Sequence, residues 1–227
     1  SPDVHGGILG NDISYIILDG INLYGGTWIG GGHVRMQNLE VDAEGESSQG
    51  IIGCGKGYCE LINLDVHHVA WTKDNQMTCP VGPITNGFGY CHGIYFVSDY
   101  NLVEGGKYHH ISGFCTHPNP GDNWTIRNIR CHDAGGFLTY GSNYLVYNNI
   151  SYNNYNPQTG ETTNALTEYS YGGNNKYFNN TIAGGAFVQG TNNIIRNNIF
   201  TNGIDEQNPG ANTLSNNLTT DPKFVNA

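Results

Sequence analysis

Asparagine recurs in this chain at the junction of two short apolar runs, and that recurrence limits the folds open to it. The pattern reads "IILDGINL" (16–23), "VRMQNLEV" (34–41), "ELINLDV" (60–66), "TIRNIRC" (125–131), "LVYNNIS" (145–151), "KYFNNTI" (176–182), "IIRNNIF" (194–200) and "TLSNNLT" (213–219). Taking Asn22, Asn38, Asn63, Asn128, Asn148, Asn179, Asn197 and Asn216 as its markers, the gaps are 16, 25, 65, 20, 31, 18 and 19 residues. Most of these match one coil of a solenoid, a unit too small to bury an apolar face alone and stable only when stacked on copies of itself. Asparagine suits a turn in such a coil because it tolerates the left-handed conformation and its amide can bond the equivalent residue of the next coil. The four Asn-x-Ser/Thr matches, at Asn123, Asn149, Asn179 and Asn217, are therefore ambiguous, since turn positions account for some of them.

A second short strand precedes each asparagine unit, often opened by a small or polar residue: "GGILG" (6–10), "TWIGG" (27–31), "QGIIGC" (49–54), "HGIYFV" (92–97), "GGFLTY" (135–140), "NALTEY" (164–169) and "GAFVQG" (185–190). Each coil thus carries at least two short strands, and the residues after the asparagine form a third. "NNIIRNNIF" and "HGIYF" resemble the right-handed parallel β-helix proteins of the pectate-lyase-like superfamily. The resemblance covers about residues 7 to 219. It implies an all-β, right-handed, single-stranded parallel β-helix of about eight coils, with function in an exterior groove. The whole chain, 1–227, is expected as a single domain, with a C-terminal covering tail at about 220–227.

Composition narrows the functions. Nine Lys and Arg against 19 Asp and Glu leave a net charge of -10, without the basic footprint that nucleic acid requires. No apolar stretch approaches the roughly 20 residues of a membrane span. A monomer is expected. The six cysteines, Cys54, Cys59, Cys79, Cys91, Cys115 and Cys131, include no CxxC pair, so three disulfides in a secreted protein are expected rather than a zinc ribbon, with the connectivity open.

The repeat breaks between Asn63 and Asn128. Two insertions are expected there, about 70–90 and 100–123, and a smaller excursion at 155–163. Long loops on a rigid scaffold are where binding and catalysis concentrate. Histidines crowd the same region: His67, His68, His92, His109, His110, His117 and His132. Aligning the third strands places Glu40, Asp65 and Arg130 in one column and Asp42, His67, His132 and Asn153 in another, with Val41, Val66, Cys131 and Tyr152 facing inward between them. Asp65, His67, Arg130 and His132 then form an outward patch on adjacent coils, and His92 opens the strand after the first insertion.

Four chemistries are weighed for this patch. β-Elimination on an acidic polysaccharide needs a base and a cation to neutralise the uronate carboxylate. His67, His92 or His132 is the candidate base, Arg130 or Lys73 the cation, and Asp133 joins the set. Tyr95, Tyr140, Lys107 and Glu168 are candidate substrate contacts, and Asp42 and Asp65 candidate Ca²⁺ ligands. A glycoside hydrolase of the same fold needs two facing carboxyl groups. The polygalacturonase motifs Asn-Thr-Asp and Asp-Asp are absent, and only "Cys91-His92-Gly93" echoes its Gly-His-Gly, so pairings such as Asp65 with Asp133 or Glu168 stand without a motif. The third is a non-catalytic carbohydrate-binding or structural module. The fourth, a transition-metal site, is disfavoured because "HH" at 67–68 and 109–110 sends successive side chains to opposite faces if extended.

Overall fold

The computed structural model describes residues 2–5, 7–10, 13–45, 49–71, 91–154, 164–169, 172–220 and 222–223. The apolar runs form short strands, and every strand pair is parallel and joins equivalent segments of successive coils. Among the described residues two sheets result, one of 16 strands and one of nine, and the latter takes one strand from each coil. The chain is an all-parallel β-solenoid, as the repeat requires. Among the described residues no helix is long and apolar enough to cross a membrane.

Alternation along the strands builds the core. Leu23, Val41, Val66, Tyr108, Cys131, Ser151, Ile182 and Phe200 stand in register, one above another, and all are buried. Burial of such stacked apolar side chains is the main favourable contribution, at roughly 25 cal/mol per Å² of apolar surface. The turn before each of these strands is left-handed. Asn38, Asn63, Asn128, Asn148, Asn179, Asn197 and Asn216 all have φ between 53° and 57°. Asn22 is different. It lies within the strand Asn22–Tyr24, and Gly20 (φ 66°) takes the turn.

Two expectations about register are corrected. Residues 100–123, expected as an insertion, carry a coil of their own. Its strand Leu102–Ile111 pairs with Glu60–Val69 on one side and with Thr125–Arg127 and Arg130–His132 on the other. Its turn holds Gly105 opposite Asn63 and Asn128, so the asparagine marker is missing. In the coil of Asn148, Tyr152 and not Asn153 stands beside His132, and Ser151 faces inward. The doubled asparagine offers two origins for counting, and the first residue of the pair is the turn.

Cys54 bonds to Cys59, and Cys115 to Cys131. Cys91 is also disulfide-bonded. Cys79, the expected insertion 72–90, the excursion 155–163 and most of the tail lie outside the described residues.

Candidate functional site

The strands that follow the asparagine turn present their alternate residues outward. One outward column runs Glu40, Asp65, Lys107, Arg130 and Ile150; the other runs Asp42, His67, His109, His132 and Tyr152. Parallel stacking at about 4.8 Å brings like positions into contact. The rings of His67 and His109 stack at 5.0 Å, His109 and His132 at 4.9 Å, and His132 and Tyr152 at 4.8 Å. His67 and His132 share one column, but with the coil of Lys107 and His109 between them rather than on adjacent coils.

The first column lines a shallow groove of about 720 Å³, walled also by Asn38, Asn63, Asn128 and Asn148. Its charge changes sign along the axis, from Glu40 and Asp65 to Lys107 and Arg130. Lys107 Nζ donates to Asp65 Oδ2 at 3.2 Å, and His109 Nε2 lies 3.0 Å from Asp65 Oδ1. Burial resists ionisation of Asp65, but the hydrogen bonds and charges of His109 and Lys107 prevail and hold its pKa at about 2. Arg130 is exposed and its side chain makes no hydrogen bond or ion pair among the described residues.

The "HH" dipeptides are not extended. His68 (φ 52°) and His110 (φ 51°) are left-handed, which turns both imidazoles of each pair to the same face. His67 Nδ1 lies 2.8 Å from His68 Nδ1, and His109 Nδ1 lies 2.6 Å from His110 Nδ1. This overturns the argument from opposite faces. One coil on, the same left-handed position holds Asp133 (φ 50°), whose Oδ2 is 2.7 Å from His132 Nδ1. Burial, and then the neighbouring imidazole, keeps His68 and His110 below the ordinary histidine pKa.

The other Nε2 atoms separate the histidines. His67 Nε2 is 3.1 Å from Glu40 Oε1, just as His109 reaches Asp65. Each histidine thus meets the carboxylate that lies two residues back on the previous coil. For His132 that place is filled by Lys107, which cannot accept a proton. Its Nε2 has no partner among the described residues.

Asp42, His67 and His68 form a cluster able to coordinate a metal ion. Asp65, the other carboxylate considered for Ca²⁺, is outside it and has both oxygens engaged. A set with two imidazoles departs from the six to eight oxygens that Ca²⁺ favours.

Four expected site residues lie elsewhere. His92 is 2% exposed on a strand of the nine-stranded sheet, where its Nδ1 accepts from Phe114 N and its Nε2 is 2.7 Å from His117 Nδ1. Burial and then His117 hold it well below the usual pKa, so it is a neutral interior group. Tyr95 is on the same strand, its hydroxyl accepting from Asn119 Nδ2 at 3.0 Å. Tyr140 follows the strand Phe137–Thr139 of that sheet and meets Tyr169 edge to face. Glu168 is 0% exposed and accepts from Asn175 Nδ2 at 2.5 Å and Asn193 Nδ2 at 2.9 Å. Its strand register turns it into the core, which removes it as a substrate contact and as a partner for Asp65. Lys73 lies outside the described residues.

Sequence reasoning missed the site roles of Glu40, His68 and His109. The available signal was "EGGKYHH", where Gly105-Gly106 stands in for asparagine and a small turn residue and puts Lys107 and His109 at column spacing. The fold is consistent with the pectate-lyase-like β-helix proteins, and comparison with family models, curated proteins and solved structures finds no match in any of the three.

Proposed function

We propose that the protein is a secreted carbohydrate-active solenoid that cleaves an acidic polysaccharide in this groove by β-elimination. The observation that carries the reading is the triplet Arg130, His132 and Asp133. Arg130 and His132 share the outward face of one strand, Arg130 has no ion pair among the described residues, and Asp133 holds Nδ1 of His132. A proton on Nδ1 leaves Nε2 with the lone pair, and His132, stacked near-parallel on His109 (2°), belongs to the strand that pairs with that of Lys107.

The chemistry follows from those positions. A uronate carboxylate bridges Arg130 and Lys107, whose charges stabilise the enolate-like dianion that develops when the α-proton leaves. His132 Nε2 takes that proton. The electron pair forms the carbon–carbon double bond, the glycosidic C–O bond at the β-carbon breaks, and the departing oxygen takes a proton from the solvent that fills the open groove. The groove, open and walled by asparagine amides, suits an extended polar chain. The disulfides are consistent with an extracellular setting.

Incubation with a panel of uronides and neutral polysaccharides tests this. Expected is the absorbance of an unsaturated uronide, reduced at least about 100-fold in Arg130→Ala and in His132→Ala. Circular dichroism of both variants checks that the solenoid is intact. New reducing ends without that absorbance mean hydrolysis. Binding without turnover means a non-catalytic carbohydrate module.

A further inference from the structure

The paired histidines at the acidic end of the column require something between them. His67 Nε2 faces Glu40 Oε1 at 3.1 Å, which places a proton on Nε2 and leaves the lone pair on Nδ1. That lone pair points at His68 Nδ1 from 2.8 Å. Two bare imidazole lone pairs repel at this distance, so a proton or a metal cation must hold them together. Asp42 Oδ1 completes a triangle, 3.2 Å from His68 Nδ1 and 3.8 Å from His67 Nδ1.

The triangle has the dimensions of a coordination shell. Sides of 2.8, 3.2 and 3.8 Å enclose a point about 1.9 Å from all three atoms, and a small displacement out of their plane lengthens this to the 2.0–2.1 Å of Zn–N and Zn–O bonds. The supporting contacts are also in place. Glu40 orients His67, and the Glu44 backbone N–H donates to Asp42 Oδ1 at 2.9 Å. Side-chain exposure is 10% for His67 and 8% for Asp42 but 22% for His68, so the site is enclosed on the strand side and open at one edge.

We propose that Asp42, His67 and His68 form a three-ligand site for a borderline divalent transition ion such as Zn²⁺, with its fourth position left to solvent. Two imidazoles and one carboxylate are a donor set for Zn²⁺, Ni²⁺ or Cu²⁺. Binding through His68 Nδ1 moves the single proton of that neutral ring from Nδ1 to Nε2, so both Nδ1 lone pairs face the ion, and the Asp42 carboxylate offsets one of its two positive charges. The site lies at the Glu40 end of the column, two coils from Arg130 and His132. It does not rest on the elimination reading. The pair His109–His110 repeats the histidine geometry, but among the described residues only the first pair gathers a third ligand.

Titration of the chelator-treated full chain with Zn²⁺, and separately with Co²⁺ for its visible d–d bands, tests the assignment. Expected is one equivalent of Zn²⁺ bound, with the Co²⁺ bands of a four-coordinate N/O site. His68→Asn and Asp42→Asn should each weaken it at least about 100-fold, and Glu40→Gln roughly 10- to 100-fold. His68→Asn keeps a residue that the solenoid accepts in left-handed form, as at Asn153 (φ 51°), and Asp42→Asn is close to isosteric. His110→Asn should leave binding unchanged. No saturable Zn²⁺ binding, binding that survives His68→Asn, or binding abolished by His110→Asn instead would each overturn the proposal. Metal uptake is read without turnover, so its failure and that of the lyase reading are separate results.

Discussion

Asn179 and Asn180 are neighbours in sequence with opposite tasks. Asn179 is exposed and takes the left-handed turn (φ 54°). Asn180 is 1% exposed and belongs to an internal amide ladder: Asn149 Nδ2 donates to Asn180 Oδ1, Asn180 Nδ2 to Asn198 Oδ1, and Asn198 Nδ2 to Asn217 Oδ1, each at 2.9–3.1 Å. Asn180 Nδ2 also satisfies the Val146 carbonyl. The doubled letters alone do not separate the two tasks. Replacing Asn180 by Ala orphans buried groups on both neighbouring coils and is expected to cost about 2–4 kcal/mol. Asn179→Ala places a Cβ residue without a helpful amide at positive φ and is expected to cost about 1 kcal/mol, with Asn179→Gly near neutral. Urea unfolding of the three variants checks the order. Asn149, one of the four glycan-acceptor matches, is fully buried in the same ladder and serves the fold instead.

The coil that runs through Leu102–Ile111 shows what an element needs to join the stack. It has no asparagine marker, yet it pairs along its whole length because Val103, Tyr108 and Ile111 keep the inward rhythm. Gly105 (φ 66°) and Gly106 (φ 85°) replace the usual turn pair, and their environments differ. An added Cβ at Gly105 meets nothing closer than 3.7 Å, whereas at Gly106 it runs into the backbone of Leu64. Gly105→Asn should therefore stay within about 1 kcal/mol of the parent, while Gly106→Ala should lose at least about 2 kcal/mol. Thermal unfolding of the two variants measures both. A further corner of the solenoid is invisible to the asparagine pattern. Tyr15, His33, Tyr58 and Tyr100, with φ of 54–63°, stack face to face at 4.7–5.0 Å along the surface. Aromatic stacking there fills the place that Asn123, Asn143, Asn174 and Asn192 hold in later coils, so the position selects for left-handed backbone rather than for one side chain.

For the molecule as a whole, stability depends on pH through groups the fold has buried. Burial lowers His117 to about 3, and burial with neighbouring imidazoles lowers His68, His92 and His110. Unfolded histidines bind protons below about pH 6.5 and these bind them less readily, so stability should fall as pH drops below 7, by on the order of 3 kcal/mol between pH 7 and 4 from His117 alone. Glu168 has the opposite sign. Burial raises it to about 7 against the hydrogen bonds of Asn175 and Asn193, so the folded state keeps its proton where the unfolded chain has lost it. Its contribution declines as pH rises from about 4.5 to 7, and Glu168→Gln should steepen the acid loss. Denaturation midpoints at pH 4, 5.5 and 7 for parent and variant give both slopes. The solenoid itself is legible in the amino-acid order, because an asparagine turn every coil and a period-2 apolar rhythm leave no other way to bury the chain. So is the placing of Asp65, Arg130 and the flanking histidines in two outward columns, since register follows from those turns. Which histidines meet is another matter, resolved by the packed coils. A left-handed φ at His68 and His110 is a property of the corner, set by stacking on the coils above and below, and it turns side chains that alternation would separate to one face. The same packing turned Glu168 into the core and buried His92 against His117 and Phe114, because which residues of a short strand are buried depends on the coils it lies against.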